Sequence, residues 1–519
     1  MVLFFKDKNE LIYAVDSVEG LDSKNISKLE WLFVATYLKE CKVVPKKYLG
    51  PKKTMISPWS TNAVEITQNM AVNGLKRIEV FKLLKSNSKK FDSMLFETYN
   101  QLDQEIFKNS IIPDPLIEIE DIASYNEKEG LALSKEEIIY LKTLSKKIKR
   151  KLTDSEVFGF SQVNSEHCRH KIFNGKFIID GKEKDLSLFK LIKKTSKLNP
   201  NEIVSAYKDN VAFVEGPNVE QFAPKNPEIP SYFEKTNFKS VISLKAETHN
   251  FPTTVEPFNG AATGSGGEIR DRLAGGKGSL PLAGTAVYMT SYPRIDKKRS
   301  WVNDARNWLY QTPLDILIKA SNGASDFGNK FGQPLISGSV FTFEHNSDNL
   351  NLGYDKVIML AGGIGFGKKD QSLKDIPNEN DTIVVLGGDN YRIGMGGAAV
   401  SSTETGKYSS GIELNAVQRS NPEMQKRVAN TIRAFVESKK NSIISIHDHG
   451  AGGHLNCLSE LVEKTGGVID LDCLPIGDNT LSFKEIIGNE SQERMGLIIS
   501  EKNYKNLKKI ADREKAPCY

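Results

Sequence analysis

Along this chain, short apolar runs alternate with longer stretches in which apolar residues recur every three or four positions. Near the start, Val2 to Phe5, Leu11 to Val15 and Ile78 to Leu84 read as strands, while Ile26 to Leu38 and Glu136 to Ile148 read as helices. Ser60 or Thr61, after Pro58, is placed to cap a further helix. The mixture predicts a small α+β domain over residues 1–150. Residues 151–230 are irregular and close on Pro217, Pro224, Pro227 and Pro230, the texture of a connector laid over a surface. Beyond 230, VISLKAE, GTAVYMT, KVIMLAGGIGF and TIVVLGG predict buried strands with glycine-rich loops at their ends. From about 386, helix-like PEMQKRVANTIRAFVES and HLNCLSELVEK alternate with strand-like SIISIHD, VIDLD and GLIIS, and Ala516 to Tyr519 read as the start of another strand. Such alternation predicts layered α/β structure. The expected chain is thus an α+β and α/β multidomain protein, with domains over 1–150, 231–385 and 386–519 and a linker over 151–230.

Composition narrows the function classes more than the fold. The 519 residues carry 70 basic against 65 acidic side chains, a net charge of +5, and the lysines are interspersed with acids. That distribution argues against a nucleic-acid partner. No apolar run approaches the roughly 18 residues of a membrane span, and charges follow the first five residues too soon for a signal peptide. Five scattered cysteines without a CxxC imply neither a disulfide framework nor a zinc ribbon, and a reducing cytoplasm is the expected compartment.

Candidate chemistry concentrates in KAETHNFPTTVEPFNGAATGSGGEIRD, Lys245 to Asp271. A strand there puts Lys245, Glu247 and His249 on one face, because side chains alternate with period two. Histidine beside carboxylates suits an acid, a base or an orienting group near neutral pH. The small-residue run Gly260 to Gly267 lacks the Lys-Ser/Thr of a Walker A loop. It reads either as another kind of nucleotide loop or as a mobile turn. Glu247, Glu268 and Asp271 supply the hard oxygens that Mg²⁺ prefers, and Arg270 supplies a fork for phosphate or a surface ion pair. The segment SQVNSEHCRHKIFNG gathers His167, Cys168, Arg169, His170 and Lys171, compatible with zinc, a thiol nucleophile or a basic surface turn. In HDHGAGGH, Asp448 reads as a metal ligand or a helix cap, and GNESQERMG sets Glu490, Ser491, Gln492 and Arg494 at the mouth of a strand. IGMGGAA fits GxGxxA, but no amphipathic helix follows to complete a dinucleotide site.

These segments, together with MISPWSTNAVEITQN and SNGASDFGNKFGQPLISGS, resemble the large phosphoribosylformylglycinamidine synthases, ATP- and glutamine-dependent amidotransferases of purine biosynthesis, in the family's own order. The resemblance implies a small N-terminal α+β domain, a linker and a paired synthase unit of the aminoimidazole ribonucleotide synthetase-like superfamily. It implies ATP and Mg²⁺ as cofactors and formylglycinamide ribonucleotide as substrate, with an amide that is phosphorylated and then resolved by ammonia. By motif position, His249 is the main catalytic histidine and His167 a second, while Glu247, Asp271 and Asp448 hold magnesium. The implied nucleotide contacts are Gly260, Ala261, Ala262, Thr263, Gly264, Ser265, Gly266, Gly267, Glu268, Ile269, Arg270 and Asp271, with a further turn at Ser337, Gly338 and Ser339. Asn250, Arg270, Glu490, Ser491 and Gln492 are implied substrate contacts. Two departures stand out. Phe251 occupies a position where many members have a second histidine, and the sequence shows neither a second synthase half nor a glutaminase-like cysteine loop. The expected partners are therefore ammonia from a glutaminase domain or subunit and a complementary synthase half. The alternative is a catalytically silent half that completes a partner's site, with the Gly260 to Asp271 loop holding either a reacting or a structural nucleotide.

Overall fold

The apolar run at the N-terminus has no strict alternation because both faces of its strand are buried. In the computed structural model, which describes all residues except 86–90, 168, 297, 300–309, 348–349 and 491–492, Val2–Asp7 lies inside a six-stranded antiparallel sheet. Leu3 and Phe5 pack with Leu29, Phe33 and Ile78 on one face, while Val2 and Phe4 pack with Ile12, Phe81 and Leu102 on the other. Two helices accompany this sheet. Ser23–Phe33 stops short of the expected Leu38, because Val34 turns into the left-handed region at φ 51° and Ala35–Tyr37 becomes an edge strand. Pro58–Asn69 is capped by Ser57 rather than by Ser60 or Thr61, since Pro58 takes the first helical position, where its missing N–H costs nothing.

These elements form one compact unit, Met1–Asp114 with Ile476–Leu481, so the first boundary falls at 114 and not near 150. The helices Ile122–Glu129 and Lys135–Ile148 belong to the second unit, Pro115–Pro475 with Ser482–Tyr519. Their Ile122, Tyr125 and Leu141 pack against Val157, Phe158 and Met395, partners that lie later in the chain.

The second unit is layered. Its larger sheet runs in the order Leu335–Thr342, Leu280–Thr290, Ile358–Lys368, Phe233–Thr248, Ala212–Pro224, Ile203–Ser205. All pairs are antiparallel except Leu280–Thr290 with Leu335–Thr342, which are parallel and joined through the helix Pro313–Phe331, as a parallel crossover requires. Ala212–Pro224 is thus a sheet strand, where a surface connector was expected. The smaller sheet has Met495–Ile499 between Thr382–Leu386 and Ile443–Asp448. VIDLD forms no strand: Val468 is 91% exposed, and the outer side of Thr382–Leu386 is bonded instead by Pro517 and Tyr519.

Between the layers lies the helix Pro257–Leu273, buried from Gly260 onward. Its Ala262, Ile269 and Leu273 share a core with Val384, Ile432, Ile446 and Leu497, while Ala261 packs with Ala286, Ala320, Met359 and Ala361 on the other side. Backbones approach closely here: a Cβ on Gly323 would stand 2.0 Å from the carbonyl oxygen of Phe258. Alanine normally stabilises a helix interior by ~1 kcal/mol over glycine. Against a fixed carbonyl the sign reverses, and Gly323→Ala is expected to lose about 1–3 kcal/mol in urea unfolding. A variant as stable as the parent would show that the two helices can separate freely.

The larger sheet leaves Leu244, Leu282, Ile336, Val340 and Ile364 exposed. An apolar sheet face ending in an exposed edge strand favours association. Sedimentation velocity is expected to show concentration-dependent self-association, and a monodisperse monomer at high concentration would contradict it.

Candidate functional site

The strand Phe233–Thr248 carries its alternation to its end. Leu244, Ala246 and Thr248 are exposed, while Lys245 and Glu247 turn toward the buried helix. Lys245 Nζ lies 2.7 Å from Asp271 Oδ2 and 3.8 Å from Glu247 Oε2. The chain then bends at His249, whose N–H donates to Met359 O (2.9 Å), and the short helix Asn250–Val255 follows. Asn250 Oδ1 accepts the Met359 N–H at 3.0 Å, so its carbonyl anchors this bend.

The expected nucleotide loop is a helix. From Gly260 to Asp271 the backbone N–H groups serve helical hydrogen bonds and are not free to cradle a phosphate. The glycines have a different use. A Cβ on Gly264 would come within 2.9 Å of His249 Cβ, and one on Gly267 within 2.5 Å of Glu247 Oε1. They make room for the site's own side chains. Ala261, Ala262 and Ile269 are core, Thr263 Oγ1 donates to Asn259 O at 2.6 Å, and Glu268 is held by Arg272 Nε (2.9 Å) and Gln333 Nε2 (2.7 Å). Ser265 and Gly266 are likewise buried. The side chains of Arg270 and Asp271, at the helix's far end, join the charged cluster, while Thr263 and Gly267 line the smaller cavity beside it. Ser337, Gly338 and Ser339 lie on the exposed edge strand Leu335–Thr342, outside both cavities described below, because that segment continues the sheet and makes no turn.

The smaller sheet brings Asp448 to the same point. Its Oδ2 is 3.9 Å from Arg270 Nε, and Arg270 NH1 donates to Gln425 Oε1 at 2.9 Å. Asn210 closes the cluster, with Nδ2 donating to Asp271 Oδ1 (2.9 Å) and Asp448 Oδ1 (2.7 Å). Nothing local in YKDN announces this; the residue preceding it, Asp209, is fixed by Lys374 Nζ (2.6 Å) and the Gly276 N–H (2.7 Å). Behind Asp448, Arg494 NH1 donates to His454 Nε2 (2.7 Å), which leaves the His454 proton on Nδ1 facing His449 Nε2 (2.9 Å). Glu490 accepts the N–H groups of Ala398 (3.0 Å) and Gly452 (3.1 Å) and the Gln418 amide (3.2 Å), tying three loops together. Ser491, Gln492 and Cys168 lie outside the described residues.

Two cavities flank the cluster. One, of about 220 Å³, is lined by His167, Glu247, His249, Asn250, Arg270, Asp448 and Glu490 among others. His167 opens into its lumen from a wall of protein, its Nδ1 3.1 Å from Ser401 Oγ. The other, of about 820 Å³, has Phe189, Lys193, Tyr207, Asn210, Lys374, His447 and Lys464 in its lining, and His170 as well. The two histidines of SEHCRH therefore serve different cavities. Among the described residues no three His, Cys, Asp or Glu side chains close into a metal cage. Glu247, Asp271 and Asp448 nonetheless offer oxygen donors of the kind Mg²⁺ takes in ones and twos, alongside water and ligand phosphates.

Burial dominates the protonation of this region. It pushes Glu247 and Glu490 each up to about 7, holds Asp448 well above the usual carboxylate range, and lowers His249 to about 4. His449 and His454 are lowered too, first by burial and then by neighbouring cations, so these imidazoles are uncharged at neutral pH. A carboxyl raised from 4.5 to about 7 keeps, in the folded chain, a proton that the unfolded chain has released. Its contribution therefore weakens folding as pH climbs through that window. The lowered histidines act with the opposite sign over an overlapping range, so the informative quantity is a difference. Glu490→Gln is expected to gain stability relative to the parent between about pH 4.5 and 7 and to level off above. Denaturant titrations giving a pH-independent difference would refute this assignment.

Comparison with known families is consistent along the chain. Residues 10–107 match the formylglycinamide ribonucleotide amidotransferase N-terminal domain, 122–171 its linker domain, and 378–519 the C-terminal domain of AIR synthase related proteins. The phosphoribosylformylglycinamidine synthase of Dictyostelium discoideum is 35% identical over 96% of this chain and 40% of its own length. That of Schizosaccharomyces pombe is 40% identical over 91% of this chain and 38% of its own length. The chain thus spans about two fifths of these relatives' length. A solved structure described as T. maritima PurL complexed with FGAR shares the fold, with a TM-score of 0.51 at 24% identity over 74% of this chain and 51% of that one. With three of the family's domains in order and relatives 35–40% identical along nearly all of it, the chain belongs to the phosphoribosylformylglycinamidine synthase family over the part it spans.

Proposed function

We propose that this chain carries a synthase site for the ATP-dependent conversion of formylglycinamide ribonucleotide to formylglycinamidine ribonucleotide. The observation that carries the reading is the pair of cavities on either side of one carboxylate cluster, bridged by Asn210. Phosphoryl transfer needs a donor and an acceptor held in line across a charge-screening centre. The larger cavity, with lysines for phosphates and Phe189 and Tyr207 for a base, suits ATP. The smaller suits the amide-bearing substrate.

In this scheme the substrate's amide oxygen attacks the γ-phosphorus and ADP leaves. Ammonia then adds to the activated carbon, loses a proton, and expels phosphate to give the amidine. His249 is suited to take that proton: its imidazole is neutral, and its buried Nδ1 has no hydrogen-bond partner. His167, in the same cavity wall, is a second proton-handling group, and Arg270 and Asn250 position the substrate. A Mg²⁺ ion, when bound by Glu247, Asp271 and Asp448, would screen the transferred phosphoryl charge. The proposed partners are a glutaminase domain or subunit supplying ammonia and a complementary synthase half. No described helix is long and apolar enough to cross a membrane, and a cytoplasmic setting is proposed.

With ATP, formylglycinamide ribonucleotide and ammonium chloride, phosphate release is expected to match amidine formation, and His249→Ala to slow both by roughly 10²-fold or more. ADP binding without any turnover would favour instead a silent half that completes a partner's site. Lys193→Met is expected to weaken ATP binding about tenfold, through a lost charge-assisted contact, with ribonucleotide affinity unchanged. The reverse pattern in calorimetry would exchange the two cavities.

A further inference from the structure

The smaller cavity is lopsided in charge. Of its carboxylates, Glu247 and Asp448 gather around Lys245, Arg270 and Asn210, and Glu490 is taken up by the N–H groups of Ala398 and Gly452 and the Gln418 amide. Lys356 and Arg169 line the same cavity, yet neither has a carboxylate within salt-bridge distance among the described residues. Burial and then the neighbouring Arg169 charge push the Lys356 pKa below its ordinary value, against a weaker pull from Glu413. That carboxylate is already engaged by the Tyr310 hydroxyl and the Gly406 N–H. Lys356 Nζ stands 5.6 Å from the centroid of the buried Phe251 ring, which holds the ammonium in place without neutralising it. Arg169 gives a single N–H to Ser402 O, at 3.3 Å, leaving most of its fork unused. Its backbone sits at φ 54°, an uncommon conformation for a residue with a side chain. Two like charges held near one another in a cavity wall, uncompensated, are a site for an anion.

We propose that Lys356 and Arg169, with the Ser401 hydroxyl beside them, form a phosphate-monoester subsite that sets which way round the substrate lies. The orientation rests on the function proposed above: the phosphate lies at the Lys356 and Arg169 end, and the amide lies at Glu247 and His249. The subsite itself does not depend on that reading, because any phosphate monoester of suitable size tests it.

The test uses ribose 5-phosphate, followed by ³¹P NMR and calorimetry on the intact chain. Saturable binding is expected, weakened about tenfold or more in Lys356→Met and in Arg169→Met, as loss of a charge-assisted hydrogen bond implies. Lys356→Arg should restore most of it, which a merely structural role for the lysine would not predict. Formylglycinamide riboside, lacking the phosphate, should bind the parent and both methionine variants equally. Ribose 5-phosphate affinity unchanged in both variants, or riboside and ribonucleotide binding weakened alike, overturns the subsite. If ribose 5-phosphate binds in the expected pattern but formylglycinamide ribonucleotide does not bind, the subsite stands and the substrate reading falls.

Discussion

Close packing of the helix Pro257–Leu273 between two layers is the constraint on which the rest depends. The helix touches the larger sheet through Ala261 and the smaller sheet through Ala262, Ile269 and Leu273, so its small residues set how near the layers come. Each interior glycine disfavours a helix by roughly 1 kcal/mol relative to alanine. That local cost is tolerated because a Cβ at Gly264 or Gly267 would collide with His249 or Glu247. Packing overrides propensity where the site is.

The same closeness creates the electrostatics. Asp271 comes from the helix, Glu247 from the larger sheet and Asp448 from the smaller one, and they meet only because the spacing is short. Burial first, and then the nearby Asp271 charge, hold the carboxyls of Glu247 and Asp448 above the usual carboxylate range. Lys245, Arg270 and Asn210 relieve part of that strain, the first two by charge and the last by hydrogen bonds to two carboxylates at once.

Some of this was legible without the fold. The period-two placement of Lys245 and Glu247, the helix at Pro422–Glu437 and the strand ending at Asp448 follow from local patterns, because side-chain direction along a strand or helix depends on the neighbouring residues alone. The glycine run misled for the converse reason: glycine permits a loop or a tightly packed helix, and the choice lies with residues such as Phe327 and His249 that are distant or already turned away in sequence. Ser337 to Ser339, which the family resemblance implied as a nucleotide-contacting turn, continue a strand paired with Leu280–Thr290. Asn210 gave no signal, since its two partners lie 61 and 238 residues away.

The sequence by itself determined the family, the identity of the titratable groups and most of the regular elements, since motif order and periodicity are properties of the linear chain. Tertiary structure alone decided that the glycine-rich segment is a wedge and not a cradle, and that two cavities share one acidic centre. It also decided that Lys356 and Arg169 line a cavity with no carboxylate within salt-bridge distance of either among the described residues. The physical reason is common to all three. Burial, proximity and charge compensation are relations between residues far apart in the chain, and they acquire values only when the layers close on one another.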